Sequence, residues 1–218
     1  MFSLTSTFDD EFEYNGKVIR LDLAFDNVLR VFELLEDDTF YDWEKIDIAL
    51  EILVENYDDI KDLPMQEKSE LYLYIFREFI DPRDNKKREE EAGGVIKKTF
   101  DFKKDAGLIY ASFMAAYHID LFEMQGKLHW QKFLQLLFHL DKNTIFKEVV
   151  SIRQAKIPPA NKYNKEYREY ILKMKRLYSL DESLEVVDER KTVQEIDRKW
   201  DMIALALTRK AGGKRGNS

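Results

Sequence analysis

The chain has 218 residues, 44% of them hydrophobic, with a formal net charge of −7. That is enough for one large domain or two small ones around a sizeable core, and it excludes an intrinsically disordered chain. The absence of cysteine excludes a disulfide framework, a thiolate metal site and a cysteine nucleophile, while the scarcity of Gly (8) and Pro (4) favours long helices over a turn-rich sandwich or barrel.

The charge is unevenly spread. Through Asp81 there are 22 acidic and 7 basic residues, a balance of −15; the remainder holds 20 and 28, a balance of +8. Such asymmetry suggests halves with different partners or halves that attract each other, against the plainer reading of an acidic face that keeps the protein soluble. No apolar run approaches the roughly 18 residues of a membrane span. The opening MFSLTSTFDDEFEY has neither the basic start nor the apolar segment of a secretory signal, so the expected location is the cytoplasm.

The first local signal is FEYNGKVIRL, where Asn15-Gly16 between short alternating runs predicts a β-hairpin over about residues 11–21 with a type I′ turn. In the following stretch Phe25, Val28, Leu29, Phe32 and Leu35 share one face of an amphipathic helix, with Asp26, Arg30 and Glu33 outward. Thr39 with Asp42 resembles a capping box for a second helix, with Ile46, Ala49, Leu50, Leu53 and Tyr57 inward. Pro64 opens a third, marked by Leu71, Tyr72, Ile75 and Phe79 and ended by Asp81-Pro82.

Residues 83–98, RDNKKREEEAGGVIKK, read as a charged linker between two modules. Beyond it, Asp101 is placed to cap a helix reaching about Tyr117, with Ile109, Phe113 and Ala116 buried. A helix over Lys127–Leu140 turns Trp130, Phe133, Leu134 and Leu137 inward, and another over Thr144–Gln154 ends before Pro158-Pro159. Two longer amphipathic helices follow. The first buries Tyr163, Tyr167, Tyr170, Ile171, Met174 and Leu177; the second carries Val193, Ile196, Trp200, Ile203 and Leu207 in three-four alternation. The expected fold is mostly α: two helical modules, residues 1–82 and 99–210, the first preceded by a short β-hairpin, with a disordered tail at 211–218.

Chemistry is poorly represented. His118, His129 and His139 lie too far apart in sequence to form the i, i+4 pair that grips a metal from one helix face, and each reads best as a histidine hydrogen-bonded at a helix end or in the core. No G-x-S-x-G, phosphate-cradling glycine loop or H-E-x-x-H is present, so neither an enzyme nor a cofactor is expected. KYNKEYREYILKMKRLY mixes cations with tyrosines as a nucleic-acid surface does, but its tyrosines fall at helical spacing on the side expected to be buried, which disfavours that use. Val193, Ile196, Trp200, Ile203 and Leu207 follow an a/d pattern for two heptads. They are candidate partner-binding residues, although packing within their own module is the favoured reading for so short a stripe.

The central stretch carries a resemblance. Phe100-Asp101-Phe102, Asp105, Leu108-Ile109-Tyr110 with Phe113, Tyr117-His118-Ile119-Asp120-Leu121, Leu128-His129-Trp130 with Phe133, and Ile152-Arg153 together resemble the "gene product fifteen" proteins of tailed phages of Gram-positive bacteria. The likeness is fullest over residues 99–156 and extends by pattern over 8–82. Where that family often has glycine in the Tyr-x-Ile-Asp-Leu turn, this chain has His118, a less comfortable occupant if the position takes positive φ. In the same stretch Tyr110, Phe113, Leu121, Trp130 and Phe133 are expected in the core, Asp120 is expected to cap a helix or turn, and His129-Trp130 to pack one helix against the next. The resemblance implies a non-catalytic tail assembly chaperone, acting in the host cytoplasm on the tape measure protein, the major tail protein or both, with self-association left open and no membrane partner. The competing readings are a structural virion tail protein and a nucleic-acid or host-regulatory binder.

Overall fold

The computed structural model describes residues 4–5, 7–81, 99–160 and 163–180. The expected linker 83–98, the stripe Val193–Leu207 and the tail 211–218 lie outside the described residues.

Strands β1 (Glu11–Tyr14) and β2 (Lys17–Arg20) pair antiparallel, Glu11 opposite Arg20 and Tyr14 opposite Lys17. Asn15 and Gly16 both take positive φ, 50° and 76°, which is what a type I′ turn asks of them. A lone two-stranded ribbon is marginal in water. Here Ile19 is wholly buried, and the Asn56 side chain accepts from the Arg20 N–H and donates to the Val18 carbonyl, pairing the outer edge of β2.

Seven α-helices follow among the described residues: α1 (Phe25–Glu36), α2 (Asp42–Leu53), α3 (Met65–Ile75), α4 (Ala106–Tyr117), α5 (Trp130–Phe138), α6 (Ile145–Gln154) and α7 (Lys165–Leu177). A 3-10 turn, Tyr57–Asp59, lies between α2 and α3, and α3 runs on into a π-helical turn, Phe76–Ile80. Local starts differ from those expected. The Thr39 N–H and hydroxyl both donate to Asp37, so Thr39 closes a turn instead of capping α2, and the Glu44 carboxylate accepts from the Tyr41 N–H at the helix start. Asp101 does cap, but it caps the turn before α4: its carboxylate accepts from the N–H groups of Lys103 and Lys104.

The expected boundary between modules does not divide the core. Residues from Ile19 to Ile80 and from Ile109 to Phe146 belong to one hydrophobic cluster. Main-chain bonds cross the interval as well: Phe25 N–H donates to Leu128 and Trp130 N–H to Leu23. Phe133 stacks on Phe25 at 4.9 Å and on Phe113 at 5.4 Å, while Phe32 meets both Trp130 and Phe102. Neither segment buries its aromatic face alone, so the linker joins two parts of one core.

The described residues fall into two compact units, the first ending at Ser151 and the second beginning at Ile152. In the second, Arg153 Nε donates to the Tyr178 carbonyl at 2.6 Å, Lys175 donates to the Arg153 carbonyl at 2.6 Å, and the Arg168 guanidinium donates to the Pro158 carbonyl. Helix α7 departs from expectation. Ile171 is buried, but Tyr167, Tyr170 and Leu177 are 57%, 52% and 65% exposed, and Tyr163 is exposed beside them. Periodicity identifies an apolar face; it does not supply a second surface to cover it.

Candidate functional site

Helix α4, AGLIYASFMAAY, contains no charged residue. Ile109, Ser112 and Phe113 face the core, and even the serine is used, its hydroxyl accepting from the Phe146 N–H at the start of α6. The opposite face carries Gly107, Ala111, Met114 and Ala115, all exposed, and a Cβ added at Gly107 would meet nothing within 4 Å. Ala116, expected in the core, is exposed too. A helix apolar all round is ordinarily buried all round. This one is buried on one side.

The loop after α4 borders that face. His118 ends the helix in the left-handed region, φ 55° and ψ 32°, the conformation in which glycine normally closes a helix. Asp120 accepts from the Phe122 N–H at 2.8 Å, which turns the chain outward and leaves Phe122 70% exposed, 5.3 Å from the Tyr110 ring. The Tyr110 hydroxyl donates to Asp120 at 3.3 Å, and burial together with that carboxylate raises the Tyr110 pKa. Tyr110, Met114 and Phe122 therefore form an aromatic and thioether rim beside a strip of alanine and glycine. Small residues permit close approach of another helix, and a polarisable rim adapts to varied partners.

The loop is anchored at its far end. The Gly126 N–H donates to Asp26 at 2.8 Å, and Leu121 and Leu128 are buried. His129 caps α5 by accepting the Gln131 N–H on Nδ1, so its ring proton sits on Nε2, 3.2 Å from Asp10 Oδ1. Phe8 stacks on the same imidazole at 3.8 Å. Burial lowers the His129 pKa and Asp10 works against that fall. Among the described residues, no group of three or more His, Asp or Glu is placed to hold a metal ion.

The sequence-derived residues thus separate. Phe113, Leu121, Trp130 and Phe133 are buried, whereas Tyr110 stands half-buried at the rim. Asp120 and His129 cap local structure, and Arg153 belongs to the second unit. Val193, Ile196, Trp200, Ile203 and Leu207 lie outside the described residues. Gly107, Met114 and Phe122 were missed, although the complete lack of charge in α4 was a legible signal.

Two other surfaces stand out. A hollow of about 300 Å³ is lined by Leu29, Phe32, Leu35 and Phe102 with Glu33, Glu36, Asp101 and Lys103 around them. The exposed aromatics Phe40, Tyr41 and Trp43 lie just beyond Leu35 in the chain. The exposed face of α7 joins Tyr167, Tyr170 and Leu177 to Lys173 and Arg176.

Fold and surface together define a mostly α-helical protein with an N-terminal hairpin and an uncharged helix face open to solvent. The family model described as "Bacteriophage Gp15 protein" matches residues 4–180, and the chain belongs to that family. No curated protein and no solved structure matches the chain significantly. No helix among the described residues is long and apolar enough to cross a membrane.

Proposed function

We propose that the protein is a non-catalytic tail assembly chaperone, binding the tape measure protein, the major tail protein or both in the host cytoplasm during phage tail morphogenesis. Membership of a bacteriophage family sets the context. The observation that carries the reading is the exposed, chargeless face of α4 with Met114 and Phe122 at its edge. An amphipathic helix of a long tail protein laid along Gly107, Ala111 and Ala115 would bury its apolar side there.

Co-expression of the full chain with its phage's tape measure and major tail protein, followed by affinity capture, tests the proposal, with mass spectrometry of purified virions alongside. Capture that is lost in Met114→Glu and Phe122→Ser, with no peptides of this chain in virions, is the expected result. Virion peptides at fixed stoichiometry without capture would instead make it a structural tail component. The exposed tyrosines and cations of α7 favour a second reading, nucleic-acid binding, because the burial that argued against it is not what the structure shows. Affinity for single-stranded nucleic acid that falls steeply with salt would support that alternative.

A further inference from the structure

The two remaining surfaces are complementary to each other. The first lies on α1 and the α1–α2 loop: Leu29, Phe32 and Leu35 floor a hollow edged by Glu33. The loop beyond and the first turn of α2 present Tyr41 and Trp43 beside exposed Asp38 and Asp42. The second is α7, whose thirteen residues carry five cations against two glutamates. There Tyr167, Tyr170 and Leu177 are exposed with Lys173 and Arg176. Each surface exposes apolar groups among charges; the first is net acidic although Lys103 lines its hollow, and α7 is net basic although Glu166 and Glu169 are exposed with its cations. The contrast extends beyond the patches, since the chain through Asp81 carries −15 and the remainder +8.

We infer that these surfaces join two copies of the chain head to tail, α7 of one copy seating its Tyr170–Leu177 face on the acidic α1–α2 surface of the next. The tyrosines and Leu177 supply apolar area, and Lys173 and Arg176 face Asp38 and Asp42. Charge complementarity selects the register and speeds encounter. Because the two surfaces differ, the contact is heterologous: each copy added leaves one free acidic surface and one free basic surface, so growth continues until a ring closes. The inference goes beyond the chaperone proposal and uses neither Met114 nor Phe122.

Sedimentation velocity on the purified full chain tests it. At about 0.05 M salt the weight-average mass should rise with protein concentration, and at about 0.5 M, where exposed charges are screened within a few ångströms, it should fall to that of the monomer. Asp38→Lys with Asp42→Lys should be monomeric at low salt, as should Lys173→Glu with Arg176→Glu. The chain carrying all four reversals should associate again. Far-ultraviolet circular dichroism identifies any variant that fails to fold. Tyr170→Ser at the same surface keeps every charge and should weaken association without making it less sensitive to salt. A monomer at every concentration and salt would overturn the inference, as would association indifferent to both reversals or association that requires added nucleic acid.

Discussion

The indole Nε1 of Trp130 donates to the main-chain carbonyl of Ile80 at 2.9 Å, both groups buried. Ile80 ends the π-helical turn that continues α3, and Trp130 is the first residue of α5. Gln131 repeats the pattern one residue on, donating to the Phe79 carbonyl at 3.0 Å. A helix end has carbonyls without intrahelical partners. The start of α5 therefore completes the end of α3 across 50 residues of chain.

Trp130→Phe keeps a ring in the aromatic cluster but leaves the Ile80 carbonyl without its donor. An unsatisfied buried acceptor costs about 1–3 kcal/mol, and the smaller ring adds a cavity contribution. Urea unfolding should show a lowered midpoint. It should also show one transition shared by α3 and α5, because the bond belongs to a common core. Separate transitions for the two segments would contradict the single core.

His118→Gly should be stabilising. The position takes φ 55° and is exposed, so the imidazole contributes little burial while its Cβ strains the backbone. Relief of that strain outweighs the extra freedom of glycine in the unfolded chain, for a net gain of about 0.5–1 kcal/mol. A thermal melt that shifts down would show that His118 makes a compensating contact.

The His129 cap predicts a pH dependence with a definite sign. Its pKa is lowered in the folded chain, by burial first, so the folded state favours the neutral ring that accepts the Gln131 N–H. This contribution is fully present above the unfolded value of about 6.5 and is lost as pH falls through the lower folded value. Protonation would place a hydrogen on Nδ1 and break the cap, although Asp10 partly offsets the charge. Melting temperatures across this range should fall less steeply in His129→Gln than in the parent chain. Equal slopes would mean that other groups carry the acid sensitivity.

Asp47, Lys68 and Tyr57 form a half-buried polar group around the buried Lys68. Lys68 Nζ lies 2.6 Å from Asp47 Oδ1, and the Tyr57 hydroxyl donates to the same oxygen at 2.6 Å. The Lys68 side chain is only 8% exposed, and its pKa is nevertheless raised, because bonds to Asp47 and Tyr57 outweigh the burial that opposes it. The Asp47 side chain is 38% exposed, so water screens part of the pair. Asp47→Asn, which leaves that ammonium without its counter-charge, should cost about 1–2 kcal/mol, whereas Lys68→Met, which removes the enclosed charge, should cost less. Denaturant midpoints in the reverse order would refute this account.

Much of the local structure was legible in the chain. Asn15-Gly16 predicted a turn that needs two positive φ values, and both are present. The spacing of Trp130, Phe133, Leu134 and Leu137 predicted their inward face, and all four are buried. Such features depend on nearest neighbours, whose sterics and periodicity are written in a few consecutive residues. The candidate face was harder to read. A helix apolar on every side has no preferred inward direction in sequence, so Gly107, Ala111, Met114 and Ala115 could not be assigned to solvent from spacing. The same limit applies to α7, where a clear amphipathic pattern identified a tyrosine face but not what would cover it.

What the sequence by itself determined is the set of elements: a hairpin with its type I′ turn, and amphipathic helices. What only the tertiary structure decided is which of them share a core. The charged stretch at 83–98 reads locally as a boundary, yet Phe25, Phe32, Phe102, Phe113, Trp130 and Phe133 pack into one cluster from both sides of it. Hydrophobic burial is non-directional and acts between groups distant in sequence, so no local pattern records the pairing. The same long-range packing left the outer face of α4 exposed, and that exposure is the basis of the proposed function.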